Sequence, residues 1–256
     1  TEGLAIEDLN GDKRPEIVTS QFQTNSDIYI ISNASSPGSF SAGAIRTITV
    51  GVPIKNIRVG DLDGDRKPDI AYTKLTSSEV GLLLNQSTPT TLNFSVAPSV
   101  ATDVTPWGID LGDLDGDGKV DIVVASITKK SITILNNKST TGSLSFDRFV
   151  QPTTYINRHL NVCDVDTDGK PDIVFTSIDD NNLNVVASKV SVFRNSTCMV
   201  PELTPPGPLD VCADLALQLV ATEGGGVSYE WTNITTSTTV AGTNTYTPAV
   251  SGEYFV

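Results

Sequence analysis

Acidic side chains at alternate positions of a short segment, with one more acid four residues further on, can converge on a single point if the chain curls around it. Four segments of this 256-residue chain have that form: EDLNGDKRPEI from Glu7, GDLDGDRKPDI from Gly60, GDLDGDGKVDI from Gly112 and CDVDTDGKPDI from Cys163. With the first Asp as position 1, the oxygen donors at positions 1, 3, 5 and 9 are Asp8, Asn10, Asp12 and Glu16 in the first segment, then Asp61, Asp63, Asp65 and Asp69. The third has Asp113, Asp115, Asp117 and Asp121, and the fourth Asp164, Asp166, Asp168 and Asp172. Carboxylates so close repel one another unless a cation sits among them. An all-oxygen donor set selects a hard ion, and Ca2+ over Mg2+, because Ca2+ accepts about six to eight oxygens in flexible geometry.

Position 7 is basic in every segment (Arg14, Lys67, Lys119, Lys170), so its backbone carbonyl, not its side chain, is the expected ligand. Up to four Ca2+ ions are therefore expected, one per segment, with the weakest site at the Asp8 loop, where Asn10 and Glu16 remove a charge and change the reach. Gly at position 4 (Gly11, Gly64, Gly116) or position 6 (Gly118, Gly169) supplies the positive φ such a turn needs, and Thr167 interrupts the position 4 pattern. Pro15, Pro68 and Pro171 fix φ where the loop re-enters a strand. An EF-hand shares the opening of the motif but needs a carboxylate at position 12 and flanking helices. Position 12 is Thr19, Tyr72, Val124 or Phe175, each inside an apolar run, which excludes that reading.

These loops need elements to hold them, and the flanking residues say which. The segments recur every 51 to 53 residues. Before each, apolar residues alternate with others: Leu4 and Ile6 around Ala5, Ile57 and Val59 around Arg58, Ile109 and Leu111 around Asp110, Leu160 and Val162 around Asn161. That is strand periodicity. A second apolar run follows each loop, then a third that ends in Asn33, Asn85, Asn136 and Asn195, and in three repeats a fourth, around 45–50, 94–100 and 146–150. No stretch has a helical period. Four short antiparallel strands per repeat of this length predict an all-β chain built of β-propeller blades, four four-stranded repeats in all, with the fourth lacking its last strand.

Residues 1–198 form this repeat region; prolines 201, 205, 206 and 208 mark a linker over 199–208, and 209–256 is a second module. There, 215–221, 227–231, 238–241, 245–247 and 253–256 read as short strands, with Trp231 and Tyr254 as core anchors. An immunoglobulin-like β-sandwich fits, but such a domain takes about 100 residues, so the module is expected to be partial. The sequence opens in mid-strand pattern without a secretory leader and closes on Tyr254-Phe255-Val256, so it reads as a piece of a longer polypeptide.

The net charge of -13 argues against nucleic acid as a partner. No run approaches the roughly 20 apolar residues of a membrane helix, so no membrane insertion is expected. Fifteen of the 30 acidic residues lie in the four loops, and four divalent ions would bring the charge to -5. Much of the acidity is thus a metal requirement.

The loops Asp61 to Asp69 and Asp113 to Asp121 match D-x-D-G-D-x-x-x-D, and on these residues the first 198 resemble the FG-GAP or VCBS repeats of integrin α-chain-type propellers. The pairs Asn33 with Phe40, Asn85 with Phe94 and Asn136 with Phe146 resemble that family's Asn-plus-Phe signature. The resemblance implies Ca2+ in the loop between the first two strands of each blade. It also implies a ring of about seven blades, hence missing upstream repeats. The tail, with Cys212, Ser228 to Trp231 and Gly252 to Tyr254, resembles the immunoglobulin-like modules of secreted bacterial surface proteins. The implied function is a non-catalytic, extracellular or cell-surface adhesion or ligand-binding module with structural calcium, presenting blade loops to a protein or carbohydrate. The alternatives are a carbohydrate-binding lectin and a non-catalytic part of a polysaccharide lyase-like enzyme.

Other residues read more plainly. Cys163 stands where two other repeats have Gly60 and Gly112 and is expected to be a small buried filler, while Cys198 and Cys212 bracket the linker and can form a disulfide if the compartment is oxidising and the geometry allows it. His159, the single histidine, has no nucleophile partner in the sequence and reads as a packing or surface residue. The N-x-[ST] sequons at Asn33, Asn85, Asn93, Asn137, Asn195 and Asn233 are accounted for by turn chemistry. The fourth repeat is longer between its second and third strands, around Asp179 to Asn182, and the insertion reads as a surface loop.

Overall fold

β-Branched and aliphatic residues on alternating positions, bounded by turns rich in Gly, Asn and Asp, make strands of every run flanking an acidic loop. The computed structural model describes residues 3–21, 26–178, 188–195, 203–204, 219–221, 229–233, 235–243, 245–247 and 254–255. Among them there is no helix. The chain divides into two units, Thr1–Asn195 and Ser196–Val256.

The first unit holds four successive antiparallel sheets. β1 (Leu4–Glu7), β2 (Glu16–Ser20), β3 (Asp27–Asn33) and β4 (Ala42–Thr49) form the first in simple meander order. β5 (Ile54–Gly60), β6 (Asp69–Lys74), β7 (Glu79–Asn85) and β8 (Phe94–Ala101) form the second. β9 (Pro106–Gly112), β10 (Asp121–Ser126), β11 (Ser131–Asn137) and β12 (Phe146–Pro152) form the third. The fourth has three described strands, β13 (Ile156–Cys163), β14 (Asp172–Ile178) and β15 (Ser188–Phe193). Each acidic loop joins the first strand of its sheet to the second.

The sheets are blades packed face to face, with the first strands side by side: β1 next to β5, β5 next to β9, β9 next to β13. Three apolar cores lie between successive blades. Val18, Ile28 and Ile30 meet Ile57, Ile70 and Leu83; Ala71, Val80 and Leu82 meet Ile109, Ile122 and Leu135; Val123 and Ile132 meet Leu160, Ile173 and Phe175. Because side chains alternate along a strand, β6 and β10 feed two cores each and are buried on both faces, whereas β2 is buried only on every second residue.

Polar groups stitch the first strands together. Arg58 Nε meets Asp110 Oδ1 at 2.6 Å, and Asp110 Oδ2 accepts from Val162 N at 2.8 Å. These strands approach closely enough that a Cβ on Gly108 would lie 2.4 Å from the Arg158 carbonyl oxygen, so only glycine fits there.

In the second unit β16 (Leu203–Thr204), β17 (Leu219–Ala221) and β20 (Thr245–Tyr246) pair in the order β16-β17-β20, and β18 (Tyr229–Asn233), β19 (Thr238–Gly242) and β21 (Tyr254–Phe255) in the order β19-β18-β21. Trp231 is buried, donates Nε1 to the Thr243 carbonyl at 3.0 Å and stacks on Tyr246. Leu203 and Thr204, inside the proline-rich stretch, pair with β17 rather than running free; their own N–H groups, unlike those of the neighbouring prolines, can enter a ladder. The side chain of Tyr254, residues Cys198 and Cys212, and the insertion at 179–182 lie outside the described residues.

Candidate metal centres

The loop between first and second strands is shaped by its own carboxylates. In the second repeat Asp61 Oδ1 accepts from Gly64 N at 2.7 Å and Oδ2 from Arg66 N at 2.8 Å; Asp63 accepts from Asp65 N and Asp65 from Lys67 N. Asp8, Asn10 and Asp12 make the same set of bonds in the first repeat, and Asp113, Asp115 and Asp117 in the third. In the fourth, Asp164 accepts from Asp168 N and Gly169 N, Asp166 from Asp168 N, and Asp168 from Lys170 N. Short Asp and Asn side chains fold back on the backbone in this way, and the turn they make needs left-handed residues.

Both position 4 and position 6 are left-handed in all four loops: Gly11 and Lys13, Gly64 and Arg66, Gly116 and Gly118, Thr167 and Gly169, with φ between 64° and 86°. The Thr167 interruption therefore leaves the backbone path intact.

Position 9 does a different job. Asp69 Oδ2 accepts from Leu62 N at 2.9 Å and its Oδ1 from Asn85 N at 2.8 Å. Asp121 holds Leu114 N and Asn137 N, and Asp172 holds Val165 N and Asn195 N, in the same way. Glu16 accepts from Leu9 N with Oε2.

Carboxylate oxygens of Asp61, Asp63 and Asp69 lie within 4.8 Å of one another, as do those of Asp113, Asp115 and Asp121, and of Asp164, Asp166 and Asp172. Each trio could hold a metal ion. Position 5 (Asp65, Asp117, Asp168) is outside each trio, its Oδ1 turned to the N–H of position 7. Position 7 thus enters the loop through its backbone, although the Arg14 and Lys67 side chains also pair with Asp12 and Asp65. In the first loop Asn10 and Glu16 replace two members of the trio.

The acids of the loops differ in their electrostatics. Burial, reinforced by the neighbouring Asp63 and Asp65 charges, pushes Asp69 up to about 7 against its two hydrogen bonds. Burial likewise raises Asp121 and Glu16. Asp172 is shifted the other way, because the N–H groups of Asn195 and Val165 outweigh the effect of burial. Asp115 is held down to about 2, first by the hydrogen bond from Lys138 and then by Asn136.

Two features escape the loop motif. Lys138 Nζ sits 2.8 Å from Asp115 and 3.6 Å from Asp117, and Arg194 pairs with Asp166 and Asp168, so side-chain cations from the end of the third strand stand beside the acids. The other is an amide link between blades. Asn85 Nδ2 donates to the Leu9 carbonyl of the blade before (2.7 Å) and to Pro68 of its own loop. Asn137 does the same with Leu62 and Val120, and Asn195 donates to Leu114. The asparagine that ends the third strand of the third repeat is thus Asn137, which also pairs with Phe146, and not Asn136, which projects to Asp115. The sequons carry the signal for it: Asn33, Asn85, Asn137 and Asn195 share the N-x-[ST] spacing. The Oδ1 atoms of Asn33, Asn85 and Asn137 accept from the N–H two residues on, which is the turn chemistry expected of them.

Cys163 is exposed, not buried: it ends β13 in the fourth sheet, and among the described residues no further blade covers it. His159 is exposed within β13, at a register shift between Asn157 and Leu160. No helix among the described residues is long and apolar enough to cross a membrane.

A family model described as FG-GAP-like repeat matches this chain three times, over residues 8–72, 68–124 and 113–175. Each match runs from one acidic loop into the strand after the next, so it spans the loop-to-loop spacing of the blades. The comparison with curated proteins gave no match.

Proposed function

This chain belongs to the FG-GAP-like repeat family, and from that premise we propose that it is a calcium-binding, non-catalytic adhesion or ligand-binding propeller module that works outside the cell. The observation that carries the calcium assignment is the convergence of three carboxylates within 4.8 Å in three successive loops. Such trios are costly as isolated charges, and the donor set is all oxygen, which a hard divalent ion satisfies. Positions 1, 3 and 9 would hold the ion, joined by position 5 and the position 7 carbonyl. In the first loop Asp8, Asn10, Asp12 and Glu16 would hold it less tightly. Bound calcium supplies charge neutralisation and ties the start of the second strand to the loop before it.

The role is structural in this reading, and the ligand, a protein or a carbohydrate, meets the loops that the rigid blades present. The second unit serves as an immunoglobulin-like spacer. Support for a non-catalytic role comes from the lone histidine, exposed on β13. Support for an extracellular place comes from the family and from the calcium concentrations found there, which suit sites of modest affinity.

Titration calorimetry of chelator-treated protein tests the metal. Calcium is expected to bind at up to four sites, the Asp8 loop last, with magnesium at least about tenfold weaker. A melting midpoint unmoved by EGTA, together with no heat on calcium addition, would overturn the assignment. Binding to a glycan panel, compared with depolymerisation of the same polysaccharides, separates ligand binding from catalysis.

A further inference from the structure

The third and fourth acidic loops carry a side-chain cation on the acids at positions 3 and 5, and it reaches them from two different places in the sequence. In the third blade Lys138, the residue after the linking Asn137, sets its Nζ 2.8 Å from Asp115 Oδ2 and 3.6 Å from Asp117 Oδ2. Asn136 donates to the same Asp115 Oδ2 at 2.8 Å, and Asp115 Oδ1 accepts from Asp117 N, so both oxygens of that carboxylate are engaged. In the fourth blade Arg194, the residue before Asn195, donates Nε to Asp166 Oδ2 and places Nη2 3.4 Å from Asp168 Oδ2. The first two blades differ. Arg14 and Lys67 pair with position 5 alone, Asp12 and Asp65. The residues flanking the linking asparagine are uncharged: Ser32 and Ala34 in the first blade, Leu84 and Gln86 in the second.

Position 3 is the acid that matters for an ion. Asp63 converges with Asp61 and Asp69, Asp115 with Asp113 and Asp121, and Asp166 with Asp164 and Asp172, whereas position 5 lies outside each trio. On the third and fourth loops an incoming ion has to take its position 3 carboxylate from an ammonium or guanidinium group already bonded to it. It must then share the loop with that positive charge. On the second loop the end of the third strand opposes it with no charge. The exposed ion pair contributes little by itself. What counts is a doubly charged ion brought beside a positive side chain, a repulsion that changes an affinity by about tenfold or more at low salt.

Resting on the calcium reading above, we propose that Lys138 and Arg194 set the calcium affinity of their loops and divide the sites into two classes. The Asp61 loop loads first. The Asp113 and Asp164 loops load only where calcium is abundant enough to displace the side-chain cation from Asp115 or Asp166. Calcium is therefore taken up in stages: the second blade's hairpin is tied down while those of the third and fourth still respond to its concentration.

Calorimetric titration of the chelator-treated full chain in about 0.05 M sodium chloride tests this, on the unsubstituted protein and on Lys138→Gln, Lys138→Arg and Gln86→Lys. Lys138 and Gln86 are both exposed, and the melting transition of each variant in EGTA is checked first. One tight step ahead of the weaker ones is expected of the unsubstituted chain. Lys138→Gln should tighten one of the weaker steps by about tenfold, Lys138→Arg should leave the isotherm as it was, and Gln86→Lys should weaken the tight step by about tenfold. Raising the salt to about 0.5 M should shrink both shifts to about threefold or less, because screening acts on charge and not on packing. If the Lys138→Gln and Gln86→Lys isotherms superimpose on that of the unsubstituted chain, in protein that does bind calcium, the proposal fails and the calcium reading stands. Shifts that salt leaves unchanged would also overturn it, since they would make the effect one of packing. Absence of calcium heat in every form overturns the calcium reading, and this proposal with it.

Discussion

At the residue scale, the acids of one loop divide into those that shape it and one that anchors it. Asp65 accepts a single N–H, from Lys67, near the surface, while Asp69 satisfies the N–H groups of Leu62 and Asn85 in the interior. An orphaned buried donor costs roughly 1–3 kcal/mol, so Asp69→Ala is expected to destabilise the protein even in EGTA, by about 2–4 kcal/mol after the relief of a desolvated charge. Asp65→Ala should cost less than about 1 kcal/mol without calcium and show its effect in calcium affinity. Urea melts with and without chelator separate the two; equal losses in EGTA would contradict the anchoring role. Thr167 is the strained member of the loops, a β-branched residue at φ 64° where the other three repeats have glycine at 78°, 77° and 76°. A left-handed L-residue costs roughly 1–2 kcal/mol, and glycine gives part of that back as chain entropy, so Thr167→Gly should stabilise by about 0.5–1 kcal/mol. A loss of stability would place the strain elsewhere.

Among elements, the asparagine ending each third strand links two blades and one loop, and neighbouring substitutions can isolate that link. Asn137 is buried and gives both amide hydrogens to carbonyls, Leu62 across the interface and Val120 within its own loop. Asn137→Ala removes bonds to one buried and one partly buried carbonyl, and a loss of about 2–4 kcal/mol in denaturant unfolding is expected. Asn136→Ala removes a half-exposed contact to Asp115 and should cost less than about 1 kcal/mol. The reverse order would mean that the blades are held by their apolar cores alone. This link also marks where the sequence is legible. Loop spacing and apolar alternation reveal the blades, because period two and a fixed repeat are local signals. Which of Asn136 and Asn137 faces the neighbouring blade depends on register across β11 and β12, a pairing of distant residues, and an extra asparagine hides it. Lys138 and Arg194 were illegible for the same reason: they reach the acids from a strand some 20 residues away in sequence. The exposure of Cys163 follows from its place on the fourth blade, which no other blade covers among the described residues, not from its residue type; Gly112, at the same position one blade earlier, has Val162 against it.

For the whole molecule, the governing quantity is where the charge of -13 resides. Half of the acidic residues crowd into four loops, and the side-chain cations beside them, Arg14, Lys67, Lys138 and Arg194, make exposed pairs worth about 0–1 kcal/mol each. Without calcium the loops therefore carry uncompensated repulsion, and repulsion between exposed charges is what salt screens. The screening length falls from about 30 Å at 0.01 M to about 3 Å at 1 M. In EGTA, raising sodium chloride from about 0.02 M to about 0.5 M should raise the midpoint of the Thr1–Asn195 transition by several degrees, because the folded state holds its acids closer together than the unfolded chain does. With saturating calcium the ion already neutralises the cluster, and the same change should leave the midpoint nearly fixed. Residues 196–256 contain no Lys or Arg and no acidic loop of this form, so any transition they contribute should ignore the chelator. Scanning calorimetry across the four combinations of salt and calcium reads all of this at once. An identical salt response with and without calcium would mean that loop repulsion does not limit the stability of the calcium-free protein.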